Sequence, residues 1–134
     1  MKEHSTDYGT VFIGTEEEIF KKITQFLNET QSTAALTGGS TPKSYYAWCA
    51  AHHALTSEAI SRLQWYCSDE RCVPLESDES NFGNADRNLL TPLHVADAHK
   101  HPWAVDSTPA TAAEIFNEKW NTTVGADKSF DLCL

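Results

Sequence analysis

The sequence predicts an α/β fold: one domain over residues 1–134, built on a mostly parallel sheet with helices on both faces and incomplete at its C-terminal end. Three observations carry this expectation. Apolar runs of strand length alternate with stretches of helical period. Leu36–Lys43 passes from an apolar run through two glycines into a helix start. The last residues, Phe130–Leu134, again have the character of a buried strand, so the chain is expected to be the N-terminal part of a longer domain.

Taken in order, Val11–Phe12–Ile13 is expected to form an edge strand. Thr15–Glu18 has the pattern of a capping box, with a hydroxyl at the cap and a carboxylate three residues on. Ile19, Phe20, Ile23, Phe26 and Leu27 then share one helical stripe, while Lys21, Lys22 and Gln25 lie off it. Ala34–Leu36 is the first buried strand. Pro42 suits the first position of the next helix, where a missing N–H costs nothing, with Ser40 or Thr41 as its cap. Tyr45, Trp48, Cys49 and His52 mark the inward face of that helix. A short helix over Ser57–Ile60 and a strand over Leu63–Cys67 follow, then a helix over Asn84–Leu90 that Thr91–Pro92 ends. Trp103–Val105 is expected as a short strand. Thr108–Pro109 opens the last helix, whose stripe is Ala112, Ile115, Phe116, Lys119 and Trp120, with Gly125 beyond its end.

Composition removes several classes of partner. The chain is 40% hydrophobic and 22% charged, a globular balance. Ten Lys and Arg stand against 19 Asp and Glu, a net charge of −9, which disfavours nucleic acid and anionic membranes. No stretch has the length of a membrane span, and Met1–Asp7 lacks the apolar core of a signal peptide. The four cysteines form no CxxC pair and are expected as reduced thiols, mostly in the core of a cytoplasmic protein. No cofactor or metal is expected. Adjacent His52 and His53 diverge on a helix, and His99–Lys100–His101 has no carboxylate or thiolate at ligand spacing, so these side chains are expected to face solvent.

Two stretches carry chemistry. Gly38, Gly39, Ser40 and Thr41 lie between a strand and a helix start. Glycines leave amides uncovered there, and hydroxyls add donors, which together make a cradle for an anion such as a phosphate. The same pattern also serves as a tight turn that binds nothing. Asp69–Glu70–Arg71 follows the Leu63–Cys67 strand directly, at the edge where open α/β sheets bind ligands, with apolar Cys72–Val73–Pro74 closing one side. An ordinary solvated loop has the same composition.

Leu36–Pro42, then Asp69–Pro74, then Ser80–Asn81, resemble in order the motifs of the 6-phosphogluconolactonase family, and Phe130–Leu134 resembles the strand before that family's catalytic loop. The resemblance runs from about Val11 to the last residue. It implies a Rossmann-like sheet and hydrolysis of 6-phosphogluconolactone in the oxidative pentose phosphate pathway, without a metal. It gives Gly38, Gly39, Ser40 and Thr41 to the substrate phosphate, Arg71 to a two-pronged contact with it, and Asn81 to substrate binding. Asp69 becomes the catalytic carboxylate that orients the base or the attacking water. The family's general base is a histidine in a Gly-rich Asp-Gly-His loop after the strand that here is Phe130–Leu134. None of the six histidines lies in such a stretch, so residues 1–134 are expected to be inactive and to associate through the incomplete sheet. Glucosamine-6-phosphate isomerase/deaminases share the glycine loop but carry Asp-Glu-Tyr where Asp69–Glu70–Arg71 stands. A non-catalytic phosphosugar-binding regulatory module is the third reading.

Overall fold

Two separate sheets organise the chain, all of whose residues, 1–134, are described by the computed structural model. The N-terminal residues form an antiparallel hairpin, β1 (Lys2–Thr6) with β2 (Gly9–Ile13), closed at Gly9 with a φ of 148°. Val11–Ile13 is therefore a strand of this ribbon, not an edge of the main sheet, because its nearest free backbone is the segment just before it. Helix α1 (Glu16–Glu29) starts with the expected capping box: Thr15 Oγ1 accepts from the Glu18 amide, and the Glu18 carboxylate accepts from the Thr15 amide at 2.8 Å. Phe20, Thr24 and Leu27 face the core. Phe26 turns outward to the hairpin and meets Phe12 edge-on at 5.9 Å, with the Lys22 ammonium over both rings.

The main sheet is parallel and has three strands in the order β4-β3-β5. Its centre is β3 (Thr33–Leu36), buried at every residue. The flanking strands are β4 (Gln64–Cys67) and β5 (Leu132–Cys133). Alternation along β3 and β4 sends Ala34, Leu36, Trp65 and Cys67 to one face. There they pack with Phe20 and Leu27 of α1, with Tyr45, Tyr46 and Cys49 of α2 (Ser40–Ala51), and with Ala59 of α3 (Ser57–Arg62). Phe82 and Ala85 of α4 (Asn81–Ala85) complete this side with Leu89 and Leu90. Tyr66 points to the other face, against His101, Phe130 and the Phe116 and Trp120 rings of α5 (Pro109–Thr123). Helices thus cover both faces, as the sequence predicts.

Several local expectations change. Gly39, not Ser40 or Thr41, caps α2, and Pro42 is its third residue, still within the turn whose amides have no intrahelical acceptor. The helix expected from Asn84 begins at Asn81, because Ser80 caps it by accepting from the Gly83 amide at 2.9 Å; Asp86–Leu90 then widens into a π-helical turn. Trp103–Val105 forms no strand. Lys100 alone bridges to Trp65, Pro102 lacks a donor, and Trp103 folds back to stack on Phe116 at 4.2 Å and donate Nε1–H to the Cys67 carbonyl. Of Phe130–Leu134 only Leu132 and Cys133 join the sheet ladder, and the run is half-buried. Its start is clamped by Asp131, whose carboxylate accepts from the amides of Ser32 and Thr33 at 2.9 Å each.

His99 and His101 are half-buried and not solvent-facing. One ring bonds the Leu63 carbonyl, while the other bonds Gln64 and stacks on Tyr66 at 4.6 Å. Burial first, then the nearby Lys119 charge, lowers the pKa of His101 and keeps it neutral. Two of the four cysteines, Cys72 and Cys133, are exposed, so only Cys49 and Cys67 are core residues. No helix is long and apolar enough to cross a membrane.

The capping box makes a pH prediction. The Thr15 amide, then the N-terminal ammonium at 3.0 Å, hold the Glu18 carboxyl at about 2, against an ordinary 4.5. A lowered carboxylate pKa stabilises the fold only where the group is charged. Glu18→Gln should therefore be less stable than the unchanged chain at neutral pH, and the gap should close as the pH falls from about 4.5 through about 2. Urea unfolding midpoints measured across that range check this.

Candidate functional site

Parallel pairing brings the C-terminal ends of β3 and β4 side by side, and the Ser68 amide continues the ladder by donating to the Leu36 carbonyl at 2.9 Å. The chain passes from β3 to one neighbour and returns to the other, so β3 is the point where the crossovers diverge. In open α/β sheets a crevice opens beyond the carboxyl ends at that point. The glycine loop leaves β3 there, and the charged loop leaves β4 beside it.

The glycine loop has one pinned end and an open middle. The Thr37 amide donates to the Tyr46 hydroxyl at 3.1 Å, and that hydroxyl donates to the Thr37 carbonyl at 2.8 Å. Burial pushes the Tyr46 phenol far above its ordinary pKa, so it stays protonated and able to donate. Gly38 packs so closely on the Asn81 side chain that a Cβ would overlap it. Gly39 has φ 111° and ψ 169°, a conformation that side chains disfavour. Hydroxyls cap α1, α3, α4 and α5 through Thr15, Thr56, Ser80 and Thr108, whereas α2 has no side-chain cap. The amides of Gly38 and Gly39 donate to no protein acceptor, and the exposed Ser40 and Thr41 supply the next two amides.

Consecutive carboxylates in the charged loop have opposite surroundings. Glu70 accepts from four donors: its Oε1 from the amides of Arg71 and Asn81 at 2.7 Å each, and its Oε2 from the Ser80 hydroxyl and the Phe82 amide at 3.0 Å each. Asp69 is exposed, and its carboxylate meets only the Ser68 hydroxyl at 3.4 Å. The Asp69 carbonyl accepts from Asn81 Nδ2 at 3.2 Å. Arg71 is exposed, and its guanidinium forms no hydrogen bond or ion pair. Burial first, then the charges of Glu70 and Asp69, holds the Cys67 thiol at about 12 and so keeps it protonated at neutral pH.

The structure therefore brings Gly38, Asn81 and Asp69 together, with Gly39, Ser40 and Thr41 continuing the same rim. Arg71 lies on the α5 side of Asp69, in a cavity of about 250 Å³ that Asp69, Arg71, Trp103, Val105 and Pro109 help to line and that the glycine loop does not. No histidine lines that cavity. His52 and His53 lie at the end of α2, His94 follows the π-helical turn, His99 and His101 flank the start of β4, and His4 is on the hairpin. No group of three or more His, Cys, Asp or Glu comes together as a metal site. Sequence reasoning places Glu70 in the charged loop without a role of its own and gives Tyr46 no part in this rim. Tyr46 has the pattern of an ordinary core residue, and the partners of Glu70 lie ten to twelve residues away across a loop.

Comparison with known proteins shows the family. Residues 10–134 match the family model described as glucosamine-6-phosphate isomerases/6-phosphogluconolactonase. The chain is 31% identical over 122 residues to a 6-phosphogluconolactonase of Thermotoga maritima, covering 88% of this chain and 51% of that one. It is 42% identical over 62 residues to a 6-phosphogluconolactonase of Treponema pallidum, covering 46% and 25% of the two. A crystal structure of the Thermotoga maritima 6-phosphogluconolactonase superposes with a TM-score of 0.74 at 25% identity, covering 92% of this chain and 56% of that one. The chain thus spans about half the length of the Thermotoga relative. With the match running over nearly its whole length and the three motifs gathered at one sheet end, the chain belongs to the glucosamine-6-phosphate isomerase/6-phosphogluconolactonase family.

Proposed function

We propose that this chain supplies the sugar-phosphate site of a cytoplasmic 6-phosphogluconolactonase, which hydrolyses 6-phospho-D-glucono-1,5-lactone to 6-phosphogluconate in the oxidative pentose phosphate pathway. The observation that carries the reading is the rim where an uncapped helix start, Gly38 against Asn81, and the Asp69 carbonyl that Asn81 bonds meet beyond β3 and β4. The amides and hydroxyls of Gly38, Gly39, Ser40 and Thr41 bind the phosphate. Arg71, whose guanidinium has no protein acceptor, adds a two-pronged contact, and Asn81 contributes to the sugar side. The relatives named 6-phosphogluconolactonase favour the hydrolase over the isomerases that share the family. Four free thiols, two of them exposed, suit a reducing compartment.

In the reaction, water adds to the lactone carbonyl and the ring oxygen leaves, so a base must take a proton from water near neutral pH. Asp69 is free to orient that base or the water, whereas Glu70 has no lone pair to spare. The six histidines all lie away from the rim, which supports a base supplied from outside residues 1–134. The same distribution favours, as a second reading, a module that binds phosphosugars without catalysis.

Three outcomes test the reading. Titration of the ¹⁵N-labelled chain with 6-phosphogluconate should shift the amide resonances of Gly38–Thr41 first, and Gly38→Ala, which crowds Asn81, should weaken binding about tenfold or more. Unmoved amides remove the cradle. Arg71→Lys should weaken the same binding by about three- to tenfold, because a point charge does not replace a planar fork; an unchanged affinity takes Arg71 out of the site. The chain of residues 1–134 should not accelerate lactone disappearance, followed by NMR against spontaneous hydrolysis, since a missing general base costs about a hundred- to ten-thousand-fold. Activity equal to that of a full-length relative would make His52, His94, His99 or His101 the base.

A further inference from the structure

Glu70 binds its own chain instead of facing a ligand, and what it binds is the start of α4. Both carboxylate oxygens are occupied, each by two donors at 2.7–3.0 Å, which fills the roughly four lone-pair positions a carboxylate offers. This internal anion fills the helix start that would otherwise attract one from solvent. It also fixes Asn81 at the backbone, while the Asp69 carbonyl fixes the Asn81 side chain at 3.2 Å. That side chain occupies the space a Cβ on Gly38 would need. On the other side of the loop Tyr46 holds Thr37 by both its amide and its carbonyl. Between these two anchors lie the unpartnered amides of Gly38 and Gly39.

We propose that Glu70 is a positioning residue: its carboxylate fixes Asn81 against Gly38 and so holds the glycine loop open in the shape that accepts a phosphate. The role rests on the phosphate-cradle reading given above and assigns different duties to neighbouring carboxylates, with Asp69 free for the reaction and Glu70 committed to geometry. A carboxamide does not substitute for Glu70. With its oxygen kept toward the amides of Arg71 and Asn81, its NH₂ would face the Phe82 amide, donor against donor.

The test compares Glu70→Gln with the unchanged chain, both as residues 1–134. Without ligand, the variant should move the Gly38 and Gly39 amide resonances and speed their hydrogen exchange, although neither residue is hydrogen-bonded to Glu70. With 6-phosphogluconate, the folded variant should bind about tenfold more weakly, the loss expected for one charge-assisted hydrogen bond. A merely structural role would lower the melting temperature while leaving the glycine amides and the affinity unchanged, and that result overturns the proposal. If the unchanged chain fails to bind 6-phosphogluconate, the cradle reading falls; the ligand-free comparison still decides the positioning, and unmoved glycine amides overturn it. If Glu70→Gln does not fold, Asn81→Ala decides. It keeps the amide on Glu70 and removes the side chain beside Gly38, so faster exchange at Gly38 and Gly39 supports the link and unaltered exchange overturns it.

Discussion

Strand β3 is enclosed on all sides but one, and the rest of the molecule is arranged around that enclosure. Its edges are taken by β4 and β5, one face by the α1–α4 layer, and all four of its residues are buried, while α5 covers Tyr66 of the neighbouring β4. A strand closed in this way has its peptide groups satisfied by neighbours and can offer nothing to a ligand along its length. Only its carboxyl end opens outward. Two glycines there turn the chain without covering the backbone, so a fully buried strand leads directly to amides with no protein acceptor.

Helix starts sharpen that contrast. Each first turn leaves donors that something must satisfy. At four of the five helices a serine or threonine does so, and at α4 the Glu70 carboxylate adds a full charge. The start of α2 is left to solvent or to an anion. A chain with net charge −9 repels an anion over most of its surface. A local group of outward amides offers an anion contacts at short range, where geometry outweighs the distant and screened charges.

What the sequence made legible were features with local causes. The capping box at Thr15, the proline-led start of α5 and the apolar β3 each depend on residues within a few positions of one another, and each formed where expected. The glycine and charged loops could also be placed at strand ends, because both follow apolar runs. Features with distant causes were not legible. Ser80 shifts the start of α4 by meeting Gly83 and Glu70 together. Trp103 abandons a strand because Phe116 and the Cys67 carbonyl offer it more. His99 and His101 look like surface residues until β4 supplies Leu63 and Gln64 beside them. The pairing of Glu70 with the start of α4 belongs to this second group.

The Asp131 clamp has a consequence in time as well as in space. It joins residues 98 and 99 positions apart, and through it the central strand acquires its second neighbour. During synthesis β3 and β4 can pair once residue 67 has emerged, but the other edge of β3 stays bare until residue 131 follows. A ribosome adding about 5–20 residues per second leaves that edge open for several seconds. Over that interval the nascent chain carries an apolar, parallel-pairing edge of the kind that recruits foreign strands. The strand at the centre of this sheet thus stays open along one edge until a segment nearly a hundred residues further on reaches it.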